Sequence, residues 1–409
     1  MAVNFERLKS DLEELRRIGL ADDGGIYRQA FSESDILARE WLKAKLSEAG
    51  LIASSDGAAN VFGRITKPDD SPCILIGSHL DSVPCGGNLD GGLGVLVALE
   101  SLRCIKENNI ETKHPIEMVA FSDEEGRFGG PLGSLALSGE ITPEDLVNAV
   151  DLYGNYLKDE MALHGFDVND ILHARRNQGM IKAYLELHIE QGPVLDKEKL
   201  NVGIVEGITG LRKWNIRLIG NADHAGTTPM KMRTDAFSGL AEFAGEIPRI
   251  IEEHGSDESV ATIGKVDLFP GMANTVPGQV EFSLDMRDID NKILDELSDA
   301  CRRALSAIAR RRMLMFEFDI ISEIDPVRCS KDIIDVIQDT AESMDIMYRN
   351  INSGAVHDAQ IISRIAPVGM IFVPSKDGRS HSPAEWTYWE DMEIGANLYL
   401  QSLLKMADS

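Results

Sequence analysis

The sequence predicts an α/β protein: a discontinuous, layered catalytic domain interrupted by a smaller inserted α+β domain. Two observations carry this. Short β-rich runs alternate with helical patterns at both ends of the chain, whereas between about residues 207 and 322 the order becomes β-α-β-β-α-β. A third agrees: 409 residues, 43% of them hydrophobic and 26% charged, are enough for two buried cores without any disordered part.

Taken in order, Phe5, Leu8, Leu12 and Leu15 are apolar at helical spacing, and a second helix is expected around 34–50. CILIGSH (73–79) reads as a buried strand, GGLGVLVALESLRCIKE (91–107) as a helix, PIEMVAFS (115–122) as a strand and AYLELHIE (183–190) as another. In open α/β sheets, sites gather at the carboxyl ends of strands, and His79 and the acidic run 123–125 directly follow strand-like segments. In the insert, KWNIRLIG (213–220) leads through DHAGTTP to a helix over 234–254. SVATIGKVDLF and GQVEFSLDMRD then precede a helix over 291–312 and the strand-like MFEFDIIS. That is the order of a ferredoxin-like sandwich, small enough to sit between two halves of a larger domain. The expected domains are 1–206 and 323–409, the two catalytic segments, and 207–322, the insert.

A net charge of −26 argues against nucleic-acid or anionic-membrane partners, which such a surface would repel. The N-terminal stretch lacks the apolar core and cleavage site of a signal peptide, and no stretch is long and apolar enough to span a membrane. The five cysteines (Cys73, Cys85, Cys104, Cys301, Cys329) are odd in number and not in CxxC spacing, so reduced thiols in a cytoplasmic protein are expected. Cys85, between two ligand candidates, is expected to be a bystander.

The chemistry lies in His79 and Asp81 of GSHLDSVP, Asp90 of NLDGG, Glu124 and Glu125 of FSDEEG, His188 and Glu190 of LELHIEQGP, and His381 of GRSHSPAEWT. They offer more nitrogen and carboxylate donors than one metal ion needs, the inventory of a two-metal hydrolase. Imidazoles and carboxylates without thiolate clusters suit two divalent ions such as zinc, manganese, cobalt or nickel. Asp90, with two oxygens, can bridge two such ions, and His79, Asp90, Glu125, His188 and His381 suffice as ligands. Any one of them alone would pass for an ordinary turn residue; their joint occurrence in turns that break apolar runs is the informative fact. Glu124 and Glu125 point apart in an extended segment unless the backbone turns, so one can ligate while its neighbour handles the proton. Asp81 is placed either to orient the imidazole of His79 or merely to stabilise a turn. Because a purely structural metal site has no use for a spare base, the two glutamates favour an enzyme over a non-catalytic binding protein.

The segments HLDSVPCGGNLDGGLGVLVALE, SDEEGRFGG, LELHIEQGPVLD, DHAGTTPM, GMANTVPGQV, DMRD, SGAVHDAQ and VPSKDGRSHSPAEWT occur in order from about residue 60 to 390. Together they resemble the hydantoinase/carbamoylase amidases of the peptidase M20 superfamily, which include N-carbamoyl-L-amino-acid hydrolases, allantoate amidohydrolases and β-ureidopropionases. HIEQGP is usually lacking in the superfamily's peptidases. The resemblance implies a metallopeptidase-like catalytic domain with an inserted lid and dimerisation domain, and a homodimer acting on a small substrate that bears a carboxylate. It implies that His79, Asp90 (the bridge), Glu125, His188 and His381 are metal ligands and Glu124 the general base, with Asp81 beside them. It also implies substrate contacts from Gln191, His224, Asn274, Arg287 and Gly354, some of them from the partner subunit.

The chemistry of the residues agrees. Arg287 offers a planar fork for a carboxylate, or else an ion pair to Asp285 or Asp288. His224 and Asn274 could donate to an oxyanion, although a histidine in a Gly-Thr-Thr-Pro turn is as easily structural. Two departures matter: the family commonly reads EEGxRF, whereas Arg127 here follows Gly126 directly, which leaves its contact open; and Val356 stands where glycine is frequent. The expected reaction is removal of the carbamoyl group from an N-carbamoyl-L-amino acid, with allantoate as the alternative substrate and N-carbamoyl-β-alanine or a dipeptide behind it.

Overall fold

The computed structural model describes residues 1–66 and 71–408; residues 67–70 and 409, inside the two expected catalytic segments, lie outside that set. The chain forms two compact units, Met1–Glu206 with Cys329–Ser409, and Gly207–Arg328. The return crossing thus falls at 328/329 rather than at the expected 322/323. The reason is pairing: strand Met315–Ile324 stays paired with Gly210–Ile219, through a bulge between Ile320 and Ser322, as far as Ile324 opposite Leu211, so residue 322 lies inside a strand of the second unit.

The first unit is built on a mixed sheet whose centre is four parallel strands, in spatial order Ile116–Phe121, Cys73–His79, Ile181–Ile189 and Val368–Val373. Antiparallel strands flank them, Val61–Arg64 and Ile52–Ser55 on one side and Val202–Ile208 on the other. The central strands are buried almost throughout, which is why they read as unbroken apolar runs rather than as alternating ones. Ile74, Ile76, Leu187 and Val373 pack with Leu93, Val97, Leu398 and Leu403 of helices Gly92–Glu107 and Trp389–Asp408 in the main core.

All four parallel strands deliver site residues from their carboxyl ends. His79 ends the first of them in sequence, residues 123–125 follow the second, His188 is the penultimate residue of the third, and the fourth leads through 374–380 to His381. Asp90 stands in the turn before helix Gly92–Glu107.

In the second unit, Val266–Phe269, Gln279–Asp288, Gly210–Ile219 and Met315–Ile324 form an antiparallel sheet in that order, as in a ferredoxin-like sandwich. Alternate residues Trp214, Ile216 and Leu218, and Phe282, Leu284 and Met286, are buried in one cluster with Phe243 and Leu305 of helices Ala236–His254 and Asn291–Arg312. The run SVATIGKVDLF, expected as one strand, is two: Val260–Thr262 and Val266–Phe269 pair with opposite ends of Gln279–Asp288. Among the described residues no helix is long and apolar enough to cross a membrane.

Helix Gly92–Glu107 approaches strand Ile181–Ile189 so closely that a Cβ on Gly94 would lie 2.2 Å from the Leu187 carbonyl oxygen. Alanine there would gain about 1 kcal/mol of helix propensity. The contact is with backbone, which cannot swing aside, so overpacking at ~1–3 kcal/mol prevails. Gly94→Ala is therefore expected to lower the midpoint of chemical denaturation.

Candidate active site

Asp90 is the centre of the cluster. Its Oδ1 lies 3.3 Å from His79 Nε2 and 3.2 Å from His188 Nε2, and its Oδ2 lies 3.3 Å from His381 Nε2. Gln191 Nε2 donates to Oδ2 at 2.7 Å, and Ser380 Oγ stands 2.9 Å from the same atom. The turn that carries Asp90 is fixed by Gly91, whose φ is +63° and where a Cβ would lie 2.5 Å from ring atoms of His79. Only glycine meets both conditions.

Two groups of donor atoms share this carboxylate. Those of His79, Asp90 and His188 lie within 4.8 Å of one another, and so do those of Asp90, Glu125 and His381. His79 and His188 are buried, and their Nδ1 atoms sit 3.0 Å from the Asp81 carbonyl and 2.9 Å from the Ile189 carbonyl, which directs both Nε2 atoms at Asp90. His381 is half exposed, with Nε2 3.5 Å from Glu125 Oε2.

Glu124 and Glu125 lie in a turn between Asp123 (φ +53°) and Gly126 (φ +71°), so the backbone does turn and the two carboxyls separate. Glu125 joins the second donor group; Glu124 Oε2 lies 3.6 Å from His79 Nε2, outside both groups. Asp81 takes the turn-stabilising alternative. Its main-chain carbonyl meets His79 Nδ1 at 3.0 Å, with one carboxylate oxygen 3.8 Å from that atom, while the carboxylate accepts from Glu124 N at 3.3 Å and Glu125 N at 3.1 Å. The reason is local demand: the two N–H groups of that turn need acceptors, and a buried carboxylate needs donors.

The electrostatics call for positive charge. Burial, together with the charge of Asp90, pushes the Glu125 carboxyl up to about 7. Burial likewise holds Glu124 well above the usual range, with Asp358, Glu125 and Asp90 adding to it. Burial opposes ionisation of Asp90 too, but the imidazoles of His188, His381 and His79 hold it well below the ordinary value. The hydrogen bond to Asp90 raises His381 to about 9. Two buried atoms of the cluster, His79 Nε2 and Glu125 Oε1, have no hydrogen-bond partner. Convergent imidazole and carboxylate donors, with orphaned atoms among them, fit divalent cations.

The remaining predicted residues divide. Gln191, at φ +57°, spends its amide on Asp90 and donates its main-chain N–H to Ser375 Oγ. Glu190 turns to another task, accepting from Val194 N and Leu195 N at the start of a short helix. Gly354 is exposed in the loop after strand Tyr348–Ser353. Cys85 faces Asp23, with Sγ 3.7 Å from its Oδ2.

Within the second unit, His224 and Asn274 are neighbours: Thr275 pairs with His224, and Ala225 N donates to the Asn274 carbonyl at 2.9 Å. His224 Nδ1 accepts from Gly226 N at 3.0 Å and Thr227 N at 3.2 Å, so its proton resides on Nε2, on an exposed side chain. Arg287 sits in a two-pronged ion pair with Asp285, Nε to Oδ1 at 3.0 Å and Nη2 to Oδ2 at 3.2 Å, while Asp288 is taken by Ser256 and Ser259.

Besides Ser380, two more residues of the site are absent from the sequence-based set. Glu385 Oε1 accepts from Leu89 N at 2.8 Å and Asp90 N at 3.0 Å, and its Oε2 lies 3.0 Å from Ser380 Oγ. The signal for it is an acidic residue four positions after His381 in an otherwise apolar run. His357 packs edge-on against His188 with ring centroids 4.5 Å apart, and its Nε2 meets Ser353 Oγ at 2.9 Å. Removing the support under Asp90 loosens the donor carboxylate, so Glu385→Ala is expected to weaken zinc or manganese binding by about 10–100-fold in a chelator competition.

The chain matches the peptidase family M20/M25/M40 over residues 75–405. It is 39% identical to the N-carbamoyl-L-amino acid amidohydrolase of Geobacillus stearothermophilus over 99% of both chains. It is 33% identical to the allantoate amidohydrolase of Escherichia coli K12, covering 100% of this chain and 99% of the relative. The crystal structure of a hydantoinase/carbamoylase family amidase from Burkholderia multivorans superposes with a TM-score of 0.90 at 34% identity, over 100% of this chain and 99% of that one. The chain therefore belongs to the peptidase family M20/M25/M40, among its hydantoinase/carbamoylase amidases, and is a hydrolase of C–N bonds.

Proposed function

We propose that this enzyme removes the carbamoyl group from N-carbamoyl-L-amino acids, releasing the amino acid, ammonia and carbon dioxide. The observation that carries the reaction is the pair of donor groups sharing Asp90, with Glu124 beside His79 and outside both. For the substrate, the support is full-length similarity to an N-carbamoyl-L-amino acid amidohydrolase at 39%, against 33% for an allantoate amidohydrolase.

His79, Asp90, Glu125, His188 and His381 would hold two divalent ions, zinc or else manganese, cobalt or nickel, which when bound polarise the ureido carbonyl and make water acidic. Glu124 takes a proton from the attacking water and later hands it to the departing amine nitrogen. The amine and carbamate separate, and the carbamate decomposes to ammonia and carbon dioxide. His224 presents an Nε2–H, a suitable donor to the oxyanion, with Asn274 next to it in the chain pairing. Arg287 takes the substrate carboxylate, oriented by Asp285. Gln191 and Gly354 complete the substrate contacts, and Asp81 positions the Glu124–Glu125 turn. The second unit acts as lid and dimerisation domain of a cytoplasmic homodimer. Allantoate is the second reading, with the same donor groups and the same role for Arg287.

Ammonia release by the manganese- or zinc-loaded protein across N-carbamoyl-L-amino acids, N-carbamoyl-β-alanine and allantoate tests the substrate. Chelator-sensitive release from the first class supports the proposal, and release from allantoate alone replaces it with the second reading. Glu124→Gln keeps the shape of the side chain and removes its basicity. It is expected to lower kcat by about 10²–10⁴-fold with metal content unchanged; near-normal turnover with metal retained would assign the base elsewhere.

A further inference from the structure

Glu125 lines, besides the donor cluster, a cavity of about 240 Å³ whose wall also includes Asp81, Val83 and the tip of a hairpin, Leu152 and Tyr153. The hairpin is closed by a bridge between Val150 and Tyr156 and by Asp151 N donating to the Asn155 carbonyl at 2.9 Å. The Asp151 carboxylate braces its own turn, accepting from Tyr153 N and Asn155 N, both at 2.9 Å. Arg127 then ties this turn to the glutamate loop: its Nε and Nη2 reach Asp151 Oδ2 at 3.1 and 2.9 Å, Nη2 also reaches Glu160 at 2.8 Å, and Nη1 donates to the Ala30 carbonyl at 2.7 Å. The contact that the shortened EEGRF run leaves open is thus a clip between the Glu125 turn and the hairpin.

The tip it holds presents two large side chains to the cavity. Leu152 is fully exposed and Tyr153 is 75% exposed, on a turn pinned by five hydrogen bonds to one carboxylate. Apart from Glu125, which belongs to the donor cluster, the charged groups of the wall are engaged: Asp81 with the N–H groups of Glu124 and Glu125, Asp151 with its turn and Arg127, and Arg127 with three acceptors. What the cavity offers a ligand is apolar surface.

We infer that this cavity seats the side chain of the amino acid whose carbamoyl group is removed, and that Leu152 and Tyr153 set a preference for uncharged, apolar side chains. The inference rests on the proposed carbamoyl-amino-acid substrate: with the scissile carbon at the donor cluster, a cavity walled by Glu125 is within reach of the substituent on the α-carbon. A cavity of about 150 Å³ takes up benzene, so one of about 240 Å³ has room for a leucine or phenylalanine side chain.

The test compares kcat/KM for N-carbamoyl-L-leucine, N-carbamoylglycine and N-carbamoyl-L-aspartate in the full-length, manganese-loaded enzyme. Replacing both Leu152 and Tyr153 by alanine is expected to lower the leucine-to-glycine ratio by about tenfold. Tyr153→Phe keeps the wild-type ratio. So does Val147→Ala, an exposed position on the same stretch outside the cavity wall. Leu152→Arg is expected to raise the aspartate-to-leucine ratio by about tenfold, a change that loss of fold cannot imitate. If the wild type hydrolyses these substrates and neither ratio moves by more than about twofold, the cavity is not the side-chain seat. If the wild type hydrolyses none of the three, the substrate proposal fails and this inference falls with it.

Discussion

The carboxylate of Asp90 is the constraint around which the first unit is organised. It is buried, three imidazoles from three different strands or loops converge on it, and an amide and a hydroxyl take up remaining space at its Oδ2. A charge so placed is tolerable only if every neighbour is oriented toward it. Two neighbouring features go with it: Glu385 gripping the backbone of residues 89 and 90, and the glycine at 91 packed under His79.

Around this centre, carboxylates do two kinds of work. Asp81, Asp123 and Glu385 accept main-chain N–H groups and so hold loops: Asp123 takes Arg127 N at 2.6 Å and Phe128 N at 3.0 Å. Asp90, Glu124 and Glu125 face imidazoles instead. The first kind is saturated by backbone donors, whereas the second kind meets the imidazoles of the donor cluster.

The second unit has its own core and its own local logic. His224 is held by two main-chain donors at Nδ1, which settles its tautomer without any help from a carboxylate. Arg287 and Asp285, two residues apart on the same face of one strand, form the ion pair that the sequence offered as the alternative to carboxylate recognition.

Much of this was legible in the residues. The apolar runs ending in His79 and His188, the change of texture near 207, and the glycines around Asp90 are local patterns set by burial and backbone freedom, and they are expressed wherever the chain is read. The sequence by itself determined which donors exist and that strand ends carry them. Only the tertiary structure decided the partners. That the Asp81 carboxylate accepts from the Glu124–Glu125 turn, that Glu385 supports Asp90 across 295 residues, that His357 packs on His188, and that Arg127 clips Asp151 are all outcomes of long-range proximity. Hydrogen-bond partners of buried groups are chosen by which donors and acceptors the packing brings within about 3 Å, and no local pattern encodes that choice.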